Sequence, residues 1–353
     1  MKKVNILETT LRDGSYAVNY SFTALDTATI SRQLELAGFE YIEIGHGVGF
    51  NGSTKGYGKA VATDEEYLVA AEGVLKNSKF GMFCIPGIAE VENIDMAHKH
   101  GMGFVRVGTN VTEVANSEPF IKRAKDCGMF VAANYMKSYA LPPRKFAENV
   151  LLSEKYGADM VYLVDSSGGM FTETVIEYYN AIRSVSDIQV GFHGHDNLGL
   201  AIANSIAIAE AGASFIDSSL QGLGRSSGNA NTEILVAALM KKGYALGIDF
   251  IKTLEIGQKY INPILPAKGK MPLDVVSGYA DFHSSYMHKI EKYSVKYSVN
   301  PCILIIELCK VDRVNASDEL VDKIAQRIKK DEDFYLAKYD FGKYVGGEQD
   351  ELK

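Results

Sequence analysis

The apolar residues between Val4 and Gly247 follow two alternating patterns. Short runs rich in β-branched and aromatic residues are each followed by a loop and then by a segment with apolar residues at helical spacing. Strands that alternate with helices are typical of parallel βαβ units. Eight such units favour a closed (β/α)8 TIM barrel of the α/β class over an open doubly wound sheet of six or seven strands. The predicted strands are Val4–Glu8, Tyr41–Ile44, Phe80–Cys84, Phe104–Val107, Phe130–Ala133, Met160–Val164, Gln189–Phe192 and Phe215–Asp217.

The pattern changes after Gly247. Four segments there have helical spacing, and no strand is predicted between them. The 353 residues suit one barrel, which commonly takes about 250 residues, plus an appendage. We therefore predict a catalytic barrel domain at residues 1–248 and a helical C-terminal region at residues 249–353. The predicted C-terminal helices are Phe250–Tyr260, Tyr279–Tyr297, Ile303–Leu308 and Glu319–Lys329.

Composition and charge exclude several classes of function. Hydrophobic residues make up 46% of the chain and charged residues 23%, which is typical of a soluble globular protein. No apolar run reaches the roughly 18 residues of a membrane span, and the N-terminus lacks a signal-peptide pattern, so we expect a cytoplasmic protein. A net charge of −7 without a basic stripe disfavours nucleic-acid binding. The four cysteines form no CxxC pair and predict neither disulfides nor a thiolate metal site.

Metal-binding residue types occur at the ends of two predicted strands. The first strand is followed by Arg12 and Asp13, and the seventh leads into His193-Gly194-His195. Residues two apart on a strand point to the same side, so both imidazoles can face one point at the barrel mouth. With Asp13 they form a set of two histidines and one carboxylate, which leaves coordination positions open. Nitrogen and oxygen ligands without thiolate favour Mn²⁺ or Mg²⁺, with Zn²⁺, Co²⁺ and Fe²⁺ as alternatives.

Further polar residues are predicted at the same rim of the barrel. The second strand ends in Glu43 and leads to His46, and the sixth is followed by Asp165 and Ser166. The alternative for Glu43 is an inward-facing side chain held by hydrogen bonds inside the barrel. A glycine-rich loop at residues 222–229 precedes a predicted helix and could bind phosphate, although close backbone packing more often explains such glycines.

These motifs together resemble the DRE-TIM metallolyase superfamily. It includes isopropylmalate synthase, hydroxymethylglutaryl-CoA lyase and 4-hydroxy-2-oxovalerate aldolase, and the similarity is greatest to the aldolase branch. The resemblance covers nearly the whole chain. It is carried by Thr10-Leu11-Arg12-Asp13-Gly14, Ile44-Gly45-His46-Gly47, Asp165-Ser166, His193-Gly194-His195, the Gly222–Asn229 loop, Gly278-Tyr279-Ala280 and Val345-Gly346-Gly347.

The resemblance implies a reaction and a set of roles. The family reaction is a metal-dependent retro-aldol cleavage of a 4-hydroxy-2-oxo acid to pyruvate and an aldehyde, or its reverse. Arg12 and Tyr279 would be catalytic, and Arg12 would contact the oxo and enolate oxygens of the substrate. Ser166 and Tyr279 would line the substrate pocket, and Asp13 and His193 would also take part in substrate binding. Asn229 would orient or approach the metal. The residues that would hold the divalent metal are Asp13, His193 and His195.

One residue departs from the aldolase branch. The branch has a histidine after Arg-Asp-Gly-Ser that serves as the catalytic base, and this chain has Tyr16 there. A phenol, with a reference pKa near 10, is a poor base at neutral pH. Three explanations compete: His46 acts as the base, a water on the metal does, or the substrate differs. We favour a different 2-oxo acid.

Two other functions stay open on the sequence. One is a Claisen-type synthase or lyase that uses an acyl-CoA, and the other is a non-catalytic scaffold. The resemblance also implies an aldehyde dehydrogenase partner that docks on the C-terminal region. We further expect a homo-oligomer, because barrel lyases often self-associate.

Overall fold

Eight parallel strands form a barrel that closes in chain order, which confirms the predicted (β/α)8 fold. The computed structural model describes residues 2–265, 272–330, 341, 342 and 344, so the Val345-Gly346-Gly347 motif lies outside the described residues. All eight predicted strands are present. They are β1 Asn5–Glu8, β2 Tyr41–Glu43, β3 Lys79–Cys84, β4 Phe104–Asn110, β5 Phe130–Met136, β6 Met160–Asp165, β7 Gln189–Gly194 and β8 Phe215–Ser218.

Helices surround this barrel and continue after it. The short α1 follows β1 directly, and helices α2 to α9 connect the strands or follow the last one. Their bounds are α1 Gly14–Ala17, α2 Ala24–Leu36, α3 Asp64–Glu72, α4 Glu92–Lys99, α5 Glu118–Asp126, α6 Pro143–Tyr156, α7 Thr172–Arg183, α8 Ala201–Ala211 and α9 Thr232–Lys241. The C-terminal helices are α10 Phe250–Ile256, α11 Pro272–Ala280, α12 Met287–Tyr297, α13 Pro301–Cys309 and α14 Asp318–Ala325.

Local sequence signals explain where several of these helices begin and end. Thr23 and Thr63 each form a capping box, in which the threonine side chain accepts from the backbone three residues on and an acidic side chain accepts in return. Gly157 and Gly212 follow α6 and α8 with φ angles of 106° and 116°, a left-handed conformation that favours glycine. The helices therefore end where the chain must turn back into the next strand.

The barrel interior changes from apolar to charged toward the carboxyl ends of the strands. An apolar cluster inside the barrel, nearer the start of β4 and β8, contains Leu7, Phe104 and Phe215. Two residues further along β4 and β8, on the same inward face, lie Arg106 and Asp217, each buried. The charged groups thus separate an apolar floor from the mouth of the barrel, where the candidate ligands lie.

The C-terminal helices have their own apolar core. Ile256 and Ile261 pack into the core of the barrel, whereas a second cluster begins at Leu273 and extends to Phe341. The proposed division of the chain at residue 248 stays a prediction. No helix in the described part of the chain has both the length and the apolar character that a membrane span requires.

One predicted C-terminal helix is wrong. The segment Tyr279–Tyr297 was expected to be continuous, but α11 ends at Ala280 and α12 begins at Met287. Asp281 has a φ of 57°, a left-handed conformation that interrupts the helix. Apolar spacing continues through this break because Phe282 and Tyr286 both pack in the second core. The interruption carries the residues between the two helices toward the barrel mouth.

Candidate metal centre and active-site cavity

The structure brings Asp13, His193 and His195 together at the mouth of the barrel. One ligand atom from each lies within 4.8 Å of the others, and all three residues are buried. Asp13 immediately precedes α1 at the end of the β1 loop, and the histidines follow each other at the end of β7. The convergence predicted from their spacing is therefore present.

Hydrogen bonding leaves histidine nitrogens free to bind a cation. The Nδ1 atom of His193 lies 2.8 Å from Oδ2 of Asp217, so a protonated Nδ1 donates to that carboxylate and Nε2 keeps its lone pair. Nδ1 of His195 is buried and has no hydrogen-bond partner in the described part of the chain. Burial lowers the pKa of His195 to about 4, so its ring is neutral at neutral pH.

Asp13 is held as an anion next to these imidazoles. Nη1 of Arg12 donates to it over 2.7 Å, and Nδ2 of Asn229 donates over 2.6 Å. Burial alone would raise the pKa of Asp13, but the charge of Arg12 and the hydrogen bond from Asn229 bring it well below its usual range. A buried imidazole nitrogen without a partner beside an ionised carboxylate is costly unless a cation binds there. The residues present therefore fit a divalent metal.

A buried set of charges supports this centre from below. Arg106 donates to Glu43 and to Asp217, the carboxylate that also accepts from His193. Glu43 in turn accepts from Nε of Arg12 over 2.6 Å. The charges are paired, as buried charges must be to avoid a large desolvation cost. They fix the orientation of Arg12 and His193.

Sequence reasoning missed Arg106 and Asp217. The available signal was a single charged residue on the inward face of an otherwise apolar strand, in Phe104–Val107 and in Phe215–Asp217. Such residues are rarely buried unless they are paired. The inward reading of Glu43 as a residue tied by hydrogen bonds within the barrel agrees with its contacts.

A cavity opens from the metal ligands to the surface. Arg12 and Ser166 line it, as predicted for residues that contact the substrate. The Ser166 hydroxyl oxygen accepts the backbone N–H of Lys137 over 2.9 Å, so its own hydrogen remains available for a ligand. The cavity is lined by Arg12, Asp13, Tyr16, Gly47, Phe83, Ile85, Asn134, Met136, Val164, Ser166, His193, His195, Arg225 and His283.

Two residues predicted to be catalytic do not line this cavity. His46 accepts the Val48 N–H at Nδ1 over 3.1 Å, and its Nε2 lies 3.0 Å from the carbonyl oxygen of Gly58. Its ring also stacks on Tyr20, with centroids 3.9 Å apart. Tyr279 lies on α11 with 72% of its surface exposed. The structure thus brings neither side chain to the candidate metal centre.

Tyr16 and His283 complete the cavity wall. The guanidinium carbon of Arg225 lies 4.7 Å from the centre of the Tyr16 ring. His283 comes from the break between α11 and α12 and was missed, because the sequence predicted a continuous helix there. Tyr16, three residues after Asp13, thus lines the cavity.

Comparison with known proteins agrees with this geometry. A family model described as HMGL-like matches residues 3–259. The 4-hydroxy-2-oxovalerate aldolase of Carboxydothermus hydrogenoformans is 39% identical over 93% of this chain and 98% of its own length, and that of Moorella thermoacetica is 38% identical over 93% and 97%. The HMG-CoA lyase structure from Brucella melitensis has a TM-score of 0.66 at 19% identity, over 75% of this chain and 99% of that one, which supports the fold alone. The chain belongs to the HMGL-like family of (β/α)8 barrel enzymes.

Proposed function

We propose that the protein is a divalent-metal-dependent aldolase that cleaves, or in reverse forms, the C3–C4 bond of a 4-hydroxy-2-oxo acid. The products of cleavage are pyruvate and an aldehyde. The observation that carries this proposal is the shared cavity, in which a fixed guanidinium lies beside a set of two histidines and an aspartate. Relatives named 4-hydroxy-2-oxovalerate aldolase that align over nearly the whole chain support it.

Arg12 is positioned to stabilise the enolate that cleavage produces. Its Nε and Nη1 atoms are held by Glu43 and Asp13, and the guanidinium lies over the Phe83 ring at 4.9 Å. Nη2 has no hydrogen-bond partner among the described residues and can donate to a substrate oxygen. Donors fixed in advance where negative charge develops lower the barrier, because they need no rearrangement during the reaction.

The cation and Ser166 would hold the rest of the 2-oxo acid. When bound by Asp13, His193 and His195, a divalent ion supplies a Lewis acid at the oxo group. Mn²⁺ or Mg²⁺ suits this donor set, which contains no thiolate. The Ser166 hydroxyl can donate to the carboxylate of the substrate from the cavity wall.

Proton transfer is the step in which this chain differs from the aldolase branch. Cleavage requires loss of the C4 hydroxyl proton, and the position of the branch's histidine base is occupied by Tyr16. Both ring nitrogens of His46 are engaged by the backbone, so we assign it no proton transfer. A tyrosine at this position favours a 2-oxo acid other than 4-hydroxy-2-oxovalerate.

Pyruvate release from a panel of 4-hydroxy-2-oxo acids tests the proposal. Pyruvate is measured with a coupled lactate dehydrogenase assay, after chelation and after addition of Mn²⁺ or Mg²⁺. We expect metal-dependent release that is abolished by His195→Ala and retained by His98→Ala, since His98 is exposed on α4 and far along the chain from the ligands. If no acid in the panel yields pyruvate with either metal, the proposal is wrong. Thiol release from an acyl-CoA and a 2-oxo acid would instead identify a Claisen-type enzyme.

Three further predictions concern the partner, the oligomeric state and the location of the protein. They are an aldehyde dehydrogenase that docks on the C-terminal region, a homo-oligomeric state and a cytoplasmic location. Co-purification with an added aldehyde dehydrogenase and light scattering of the pure protein test the first two.

A further inference from the structure

His283 reaches the active-site cavity from outside the barrel. It lies between α11 and α12, after the left-handed residue Asp281, and is 7% exposed. Its side chain lines the same cavity as Arg12 and the three candidate metal ligands. A residue of the C-terminal region therefore faces the position of the substrate.

The contacts of His283 define which ring nitrogen carries the proton. Nδ1 accepts the backbone N–H of Ser285 over 3.2 Å and lies 2.7 Å from the Ser285 hydroxyl oxygen. Because a backbone N–H can only donate, Nδ1 is unprotonated and the proton of the neutral ring is on Nε2. Nε2 has no hydrogen-bond partner among the residues that the structure describes, so its N–H is available to a ligand in the cavity.

The surroundings keep this imidazole neutral and fixed. Burial, together with the positive charges of Arg225 and Lys137, holds the pKa of His283 well below its usual range. Nε of Arg225 donates to the hydroxyl of the adjacent Ser284 over 2.9 Å, which ties this segment to the loop after β8. A neutral ring with its proton on Nε2 is a hydrogen-bond donor at that atom and cannot accept a proton there.

We propose that His283 donates its Nε2–H to the C4 oxygen of the substrate, an inference that rests on the proposed aldolase function. The metal ligands and Arg12 are committed to the oxo and enolate oxygens, which leaves the C4 end of the substrate to the wall formed by Tyr16, Arg225 and His283. These three belong together, since Arg225 contacts both the Tyr16 ring and the segment that carries His283.

The donor has a defined role in bond cleavage. The C4 hydroxyl proton passes to solvent water, the C3–C4 electron pair moves into the enolate, and the C4 oxygen becomes the aldehyde oxygen. The enolate then takes a proton from water at C3, which gives pyruvate. His283 keeps its proton throughout and stabilises the negative charge that the C4 oxygen carries when its proton has left. In the reverse direction the same N–H polarises the aldehyde carbonyl for attack, as a neutral imidazole can.

The test compares two reactions of the same full-length protein loaded with Mn²⁺. One is cleavage of the 4-hydroxy-2-oxo acid, which has a C4 oxygen. The other is exchange of the pyruvate methyl protons with D₂O, which is followed by NMR. Pyruvate has no C4 oxygen. The variants are His283→Leu, which removes the donor, and His283→Gln, whose amide N–H can approach the position of Nε2. His98→Leu is the matched control, because His98 is exposed on α4 and lies outside the C-terminal region.

We expect His283→Leu to lose about 100-fold or more in kcat for cleavage, the usual effect of removing one oxyanion donor. Its pyruvate exchange should stay close to that of the unaltered protein. His283→Gln should recover much of the cleavage rate, and His98→Leu should change neither reaction.

Two results would overturn the inference. One is cleavage by His283→Leu at the unaltered rate. The other is equal loss of both reactions in a variant that still unfolds at the normal temperature. Equal loss would indicate that His283 transfers a proton in both reactions or that its replacement collapses the site. If the unaltered protein exchanges pyruvate protons but cleaves no acid in the panel, the proposed function itself fails and this assignment fails with it.

Discussion

Replacement of Asp217 by asparagine should weaken metal binding with little change in shape. Arg106 and His193 both donate to the same oxygen of Asp217, Oδ2. An asparagine can place its amide oxygen at this point and keep both hydrogen bonds. The substitution therefore removes charge and retains the contact that orients His193.

The charges around the centre set the size of the effect. Two buried guanidinium groups face three buried carboxylates, a net charge of −1, which a divalent cation changes to +1. In Asp217→Asn the bound state carries +2 in a site screened from water. Loss of a carboxylate behind a metal-binding histidine typically costs about 10–100-fold in affinity, or about 1.4–2.8 kcal/mol. We expect a Kd for Mn²⁺ raised by this factor.

Titration calorimetry with Mn²⁺ measures the change directly. Asp187→Asn is the control, because Asp187 is exposed and lies before the strand that carries His193. Circular dichroism establishes that both variants are folded at the titration temperature. An unchanged Kd in folded Asp217→Asn would refute the electrostatic reasoning and would show that the carboxylate charge does not act on the cation.

Three further predictions concern Arg12, His46 and the cation. Arg12→Lys should lower kcat for cleavage by about 100–1000-fold while metal binding persists. The reason is that one ammonium group cannot contact Glu43, Asp13 and the substrate together. An unaltered kcat would contradict the role of Arg12. Burial lowers the pKa of His46 to about 4, so the unfolded chain takes up a proton first as pH falls below the ordinary value of 6.5. The stability that neutral His46 contributes is thus complete above about pH 6.5. The free energy of unfolding, measured by urea unfolding, should fall by about 3 kcal/mol toward pH 4. His46→Gln should flatten this dependence and keep its cleavage activity at pH 7, and lost activity in the folded variant would restore His46 as a catalytic residue. Mn²⁺ at 100 times its Kd should raise the free energy of unfolding by about 2.7 kcal/mol, and the shift should vanish in His195→Ala; an equal shift in that variant would place the ion elsewhere.

The sequence by itself determined the barrel and predicted the three candidate metal ligands that the structure brings together. Both follow from short-range pattern: apolar runs of strand length alternate with helical spacing, and His193 and His195 share a strand face because side chains alternate along β-structure. Asp13 could be added because the carboxyl ends of the strands in such a barrel meet at one rim. These inferences need no knowledge of which residues touch.

Only the tertiary structure decided which side chains line the cavity beside the candidate metal ligands. His46 lies close in sequence to the rim, yet the fold turns both its ring nitrogens to the backbone, while His283, some 270 positions after Asp13, enters the cavity through a helix break at Asp281. Apolar spacing continues across that break, so it predicted a continuous helix. The pairing of Arg106 with Asp217 depends on strands that are distant in sequence, and the direction of a side chain depends on backbone angles that apolar spacing does not encode.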